Sequence, residues 1–181
     1  MRLFVGIRLP AETRAILERA CAGLEGARWV RPENMHLTLR FIGEVGGTEA
    51  GDIDAALGDV RAAGFELALN GLGHFGNGRK VRALWAAVEA GQPLARLHEK
   101  VEAAVVRAGR EPEGRKFRPH VTLARFKGRP PRNLGDYLEA HNRLSTPAFP
   151  VVAFTLFESH MGHGGSHYEA LSDYALEASA E

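Results

Sequence analysis

"FRPHVTLARF", residues 117–126, has an echo upstream in "RPENMHLTLRFIG", residues 31–43. Each holds a His-x-Thr-Leu run: His36-Leu37-Thr38-Leu39 and His120-Val121-Thr122-Leu123. Both stretches alternate as strands do. On a strand, residues i and i+2 share a face, so His36 projects with Thr38 and His120 with Thr122. Leu37, Leu39, Val121 and Leu123 turn the other way, towards a core. Continued strictly, the alternation puts Arg40 on the polar face of the first run and Phe41 on the apolar one.

The surroundings repeat as well. His36 and His120 stand 84 positions apart. The helical pattern before each run shifts by 82, from Ala11 to Pro93, and the strand pattern after it by 84, from Phe65 to Phe149. Helices are expected at 11–26, from Thr48 onward, at 93–108 and at 133–143, each with apolar residues at helical spacing. Strands are expected in "LFVGIRL" at the start and in two hairpins. "FELALNGL" and "VRALWAAVEA" flank the loop "GHFGNGRK"; "FPVVAFTLF" and "HYEALSDYAL" flank "MGHGGS". An α-β-α-β-β order at a near-constant offset implies an internal duplication, with units at roughly 11–90 and 93–177. The expected fold is α+β: two similar lobes, each an antiparallel sheet with outer helices, around a central cleft. No Pro/Ser-rich linker divides them, so residues 1–181 read as a single bilobal domain.

Composition narrows the setting. A single cysteine, Cys21, excludes an internal disulfide and fits a reducing compartment. The opening apolar run is too short for a signal peptide or a membrane span, so a cytoplasmic protein that meets no membrane is expected, and a monomer. The net charge is +1, but residues 107–132 hold nine Lys/Arg against Glu111 and Glu113. This basic stretch brackets the second run and suits a phosphate-bearing ligand, or it is a solvated loop.

Two opposed imidazoles, each with a hydroxyl beside it, suit a phosphodiester. One takes a proton from the attacking group while the other gives one to the leaving oxygen. An unperturbed histidine, with a pKa of about 6.5, serves either role near neutrality. Threonine hydroxyls and an arginine would hold the phosphate oxygens. Such chemistry requires no metal.

These residues resemble a known family. "HLTLRFIGEV" and "FRPHVTLARF" are similar to the two signature motifs of the two-histidine phosphoesterase superfamily, in particular its RNA 2′,3′-cyclic phosphodiesterase (2′-5′ RNA ligase) branch. "RLFVGIRLP" and "GHFGNGRKVRALWAAV" extend the likeness over nearly the whole chain. The resemblance implies His36 as proton donor, His120 as proton acceptor, and Thr38, Thr122 and Arg125 as phosphate-binding residues. It implies opening of RNA 2′,3′-cyclic phosphate ends to 2′-phosphates, reversible 2′-5′ joining of RNA, and neither metal nor nucleotide cofactor. Arg125 lies five positions after His120, so strict alternation would face it away; a bulge or strand end must turn it inward.

Two other readings stand beside this one: an RNA- or nucleotide-binding module without turnover, and a phosphodiesterase for a small cyclic phosphate. A long basic surface would favour RNA, a closed pocket the small substrate. His160, His163 and His167 could suggest zinc, but their Gly-rich setting lacks helical ligand spacing and a Cys or carboxylate to complete the set, so no metal site is expected. His74 and Phe75 could border the cleft. Phe41, Phe75 and Trp85 are the candidate surfaces for a stacked base.

Overall fold

A computed structural model describes residues 1–77, 79–89 and 91–178. Gly78 of the first hairpin loop and Ala90, the last residue of the strand expected at 81–90, lie outside them. The elements are β1 (Arg2–Arg8), α1 (Ala11–Arg19), β2 (Arg28–Trp29), a 3-10 turn (Pro32–Asn34), β3 (His36–Glu44), α2 (Gly47–Gly58), β4 (Phe65–Phe75) and β5 (Ala83–Glu89). They continue with α3 (Gln92–Arg107), β6 (His120–Arg125), α4 (Leu134–Ala140), β7 (Phe149–Val151), β8 (Ala153–Gly162) and β9 (Gly165–Ala175).

The sheet runs β7-β4-β5-β6-β3-β1-β8-β9, with β2 also on β6. Its named strand pairs are antiparallel. Two four-stranded halves meet at β3 and β6, whose register holds Leu37 opposite Val121, the same position in the two runs. Beyond that point the two strands part. β2 takes the freed edge of β6, pairing Arg28 with Arg125 and Trp29 with Ala124. The short seam and the divergence open the cleft.

Each lobe draws on both halves of the chain. The hairpin β4–β5 extends β6, whereas β8–β9 reaches β3 through β1. The stretch "FPVVAFTLF", expected as one strand, is therefore two. β7 closes an edge against β4 and β8 pairs with β1 in the other lobe, with Val152, 66% exposed, between them. Strand β4 also runs further than expected: its Gly73, His74 and Phe75 pair with Trp85, Leu84 and Ala83 of β5.

Helices cover the outer face. Leu94, Leu97, Val101, Ala104 and Val105 of α3 form a buried stripe at helical spacing, and Ala50, Ile53 and Leu57 of α2 form another. Leu37, Leu39, Val121 and Leu123 meet this core from the sheet, so the facing read for these four holds.

Alternation fails at the same place in each copy, for one reason, and β3 shifts register a second time at Ile42. Val5 pairs with Arg40 but Gly6 with Thr38, leaving Leu39 as an extra residue. Leu84 pairs with Ala124 but Trp85 with Thr122, leaving Leu123 extra. Each bulge buries two consecutive residues and returns the fifth to the cleft side. Phe41 thus takes the exposed place expected of Arg40, and Arg40 turns inward, where it still reaches the wall of the cavity that His36 and Thr38 line. Arg40 is buried, at 6% exposure, while Phe41 stands 47% exposed beside the cleft.

Candidate active site

Strand geometry sets the two histidines alike. Nδ1 of His36 lies 2.7 Å from the Asn34 carbonyl and Nδ1 of His120 lies 2.6 Å from the Arg118 carbonyl, each two residues earlier. A carbonyl only accepts, so Nδ1 is the donor in both rings and Nε2 is left for the cleft. Nε2 of His36 stands 2.8 Å from Oγ1 of Thr38. The hydroxyl donates to a neutral ring and accepts from a protonated one.

Aromatic side chains fix the ring planes. Phe4 lies 4.8 Å from the His36 ring and Tyr168 meets it edge-on at 5.3 Å, with Phe157 stacked behind Phe4 at 4.9 Å. Phe75 meets His120 edge-on at 4.8 Å, backed by Trp85 at 5.4 Å. Two glycines make room. A Cβ on Gly6 would stand 2.9 Å from the Leu37 carbonyl, and one on Gly73 would stand 2.3 Å from the Trp85 indole.

His36, Thr38, His120, Thr122 and Arg125 all line one cavity of about 880 Å³. His36, Thr38 and Arg125 also line an adjoining cavity of about 540 Å³. The bulge turns Arg125 inward, as the sequence expectation for it called for. The basic stretch divides: Arg115, Lys116 and Arg118 line the larger cavity, while Arg110 pairs with Glu49 at 2.7 Å away from it. Arg82 joins the larger cavity and Arg28 and Arg31 the smaller, with Arg2 in both. These four are scattered through the sequence, and only the fold gathers them.

Burial, foremost, pushes the pKa of both histidines below the ordinary imidazole value. The Asn34 and Arg118 carbonyls each raise it in part, and the Arg125 charge lowers both; His120 adds to the lowering at His36. From sequence, positive neighbours at His120 and Glu33 and Glu44 near His36 suggest that His36 keeps its proton to higher pH. The structure removes that argument. Arg125 acts on both rings, and neither glutamate is among the groups that act on His36. Glu44 faces the N-terminal amine at 3.7 Å instead.

The second hairpin differs from its reading in one respect. His160 does have carboxylates beside it, Glu169 at 3.2 Å and Glu158 at 3.7 Å, gathered by strand pairing across β8 and β9. Glu158 and His160 alternate with Ser159 and Met161, the β8 residues that line the smaller cavity, so the cluster faces away from the cleft. His74 gives its Nδ1 to the Gly76 carbonyl at 2.7 Å, while Phe75 does line the cleft.

A duplicated α+β fold that brings a His-x-Thr strand from each half to one cationic cleft has the architecture of a phosphoesterase. Comparison with known proteins gives the family. The model of the LigT-like phosphoesterases matches residues 7–85 and again 86–168, so the chain belongs to that family and carries its unit twice. It is 33% identical over 185 residues to an RNA 2′,3′-cyclic phosphodiesterase of Methanothermobacter thermautotrophicus, covering 97% of this chain and 99% of that protein. A 43% match to an RNA 2′,3′-cyclic phosphodiesterase of Aeropyrum pernix spans 100 residues, 55% of this chain and 57% of that one. The crystal structure of TT0787 of Thermus thermophilus superposes with a TM-score of 0.82 at 32% identity, covering 99% of this chain and all of that one.

Proposed function

We propose that this protein opens 2′,3′-cyclic phosphate ends of RNA to 2′-phosphates, and joins RNA ends reversibly through 2′-5′ linkages. The observation that carries this reading is the pair of imidazoles, each tethered through Nδ1 and lining one cavity with Thr38, Thr122 and Arg125. His120 Nε2 takes a proton from water as the water oxygen bonds to phosphorus. The bond from phosphorus to O3′ breaks, and His36 gives O3′ the proton from its Nε2. The product carries a 2′-phosphate and a free 3′-hydroxyl. Thr38, Thr122 and Arg125 hold the non-bridging oxygens as charge builds on them. General acid–base help is worth about 100- to 10,000-fold.

The allocation of donor and acceptor rests on resemblance, since the electrostatics act on both rings in the same direction. The chain works as one bilobal monomer in the cytoplasm; among the described residues no helix is long and apolar enough to cross a membrane. Arginines in both cavities, with Lys116 in the larger, support RNA over a small closed-pocket substrate.

The test is incubation with oligonucleotides ending in a 2′,3′-cyclic phosphate, in EDTA, with the product identified. A 2′-phosphate end is expected. Absence of turnover, or turnover only with an added divalent metal, would overturn the reading.

A further inference from the structure

The two histidine tethers are alike, but the chain that carries each is held differently. The Asn34 carbonyl behind His36 belongs to the 3-10 turn, which is closed by main-chain bonds from Asn34 to Arg31 and from Met35 to Pro32. The Arg118 carbonyl behind His120 ends a strap, residues 111–118, that is neither helix nor strand. Among the described residues, none of 111–117 takes part in a hydrogen bond between main-chain groups.

Side chains hold the strap instead, and most of their contacts run through Arg40. Nη2 of Arg40 donates to the Glu111 carbonyl at 2.6 Å, Nη1 faces Glu113 at 3.8 Å, and Nε faces Glu102 of α3 at 3.2 Å. Glu102 also accepts from the Glu113 main-chain N–H at 2.8 Å, and Glu113 accepts from that of Arg115 at 3.1 Å. Further along, Phe117 stacks face to face on His98 of α3, with 3.9 Å between centroids. The strap is thus pinned to β3 and α3 before it reaches His120.

The second copy shows that a sheet of this kind does not need the arginine. Four residues after His120 the same place is taken by Ala124, fully buried. A buried ion pair is weak evidence for stability, since apolar residues of similar volume serve as well or better. What the Arg40 cluster does that Ala124 does not is hold a segment lacking main-chain bonds of its own, and that segment carries one tether and not the other.

We propose that Arg40 is a positioning residue for His120: through Glu102 and the strap it fixes the Arg118 carbonyl, which keeps the proton of the neutral ring on Nδ1 and presents Nε2 to the cleft. The tautomer of an imidazole is set by the bond that its other nitrogen makes. The proposal rests on the phosphodiesterase reading, in which His120 Nε2 accepts the proton. Arg40 acts through the strap and holds no substrate, because each of its three nitrogens already faces Glu102, Glu113 or the Glu111 carbonyl.

The experiment uses Arg40→Met combined with Glu102→Met, which removes both charges together and leaves neither stranded. Histidine ¹⁵N spectra, recorded without substrate at a pH where the rings are neutral, read the tautomers; His36→Ala and His120→Ala assign the signals. In the wild type both rings should be Nδ1–H. In the double variant His120 should populate both tautomers, while His36 stays Nδ1–H and serves as the internal control for folding. With RNA ending in a 2′,3′-cyclic phosphate, kcat should fall about 10- to 100-fold, as for a misplaced catalytic group, with KM held within about twofold. Glu102→Gln, which keeps the side chain and removes one charge, should move both readouts the same way by less, and it carries the test should the double variant not fold. A kcat that stays within twofold in the folded double variant would overturn the proposal. So would a fall in kcat with His120 still Nδ1–H, or a loss of the tautomer at both rings together, the mark of general loosening. Wild-type protein with both rings Nδ1–H that opens no cyclic phosphate would refute the phosphodiesterase reading alone.

Discussion

Strands β3 and β6 are the same piece of backbone written twice, and they differ where it matters. Both begin with a histidine tethered to the carbonyl two residues back, follow it with a core residue and a threonine, and bulge at the next position. Then they diverge: Arg40 against Ala124, and Phe41 against Arg125. What is shared is the pair of tethered imidazoles that the proposed mechanism uses to move protons, one from each half of the chain. What differs breaks the symmetry, so that an asymmetric substrate has one way to lie in the cleft.

The shared half gives the largest expected effects. Replacing either histidine by alanine should lower kcat by about 100- to 10,000-fold. The double variant should be little worse than either single one, because the pair works as a unit. A substrate whose 3′ leaving atom is sulfur needs little protonation, so it should rescue His36→Ala and not His120→Ala. Rescue of His120→Ala instead would reverse the assigned roles, and near-normal turnover by either single variant would end the two-histidine mechanism.

At the first diverged position the consequence is for stability. The buried Arg40 guanidinium meets Glu102 of α3 at 3.2 Å and Glu113 at 3.8 Å, and donates to the Glu111 carbonyl at 2.6 Å. It thereby ties a helix and the loop leading towards His120 to the back of β3. Glu102→Gln leaves that charge short of a partner, which should cost about 3 kcal/mol, the low end for a broken buried pair because Glu113 still faces it. Urea denaturation measures this; a midpoint unmoved by the change would show that Glu113 and the carbonyl suffice.

Much of this site could be read in advance because its grammar is local. Period-two alternation places His36 with Thr38 and His120 with Thr122, and the need to bring Arg125 inward calls for the bulge that β6 contains. The same bulge in β3 was invisible, since nothing required Arg40 to leave the polar face. Strand exchange between the halves was also out of reach: which hairpin extends which histidine strand depends on pairings far apart in sequence, such as Gly6 with Thr155. For the same reason Phe4, Phe157 and Tyr168 gave no sign that they pack around His36, nor Glu158 and Glu169 that they meet His160.

Arg125 tests the second diverged position. Charge-assisted hydrogen bonds of about 1.5–3 kcal/mol make Arg125→Gln about 10- to 150-fold slower in kcat/KM. Its pH profile should move too. The Arg125 charge lowers the pKa of both histidines, so removing it lets both rise, and both limbs of the kcat/KM profile should shift to higher pH. A shift of one limb alone would mean that Arg125 acts on one ring only.

The smallest effect is expected where the second hairpin carries a metal-like cluster of its own. Glu158, His160 and Glu169 bring their ligand atoms within 4.8 Å of one another, near enough to invite the idea that a bound ion serves the reaction. Two features argue against it. His160 Nε2 is already hydrogen-bonded to the Glu169 carboxylate at 3.2 Å, and strand alternation turns Glu158 and His160 away from the cleft that Ser159 and Met161 line. An exposed side-chain contact of this kind contributes about 0–1 kcal/mol, so His160→Ala should leave stability nearly unchanged. Turnover should be unaffected by that substitution, by His163→Ala, or by EDTA. Steady-state kinetics on the three samples decide it. Activity lost on chelation and restored by zinc in the wild type, but not in His160→Ala, would make the hairpin a metal centre and turn a symmetric two-histidine site into an asymmetric, metal-dependent one.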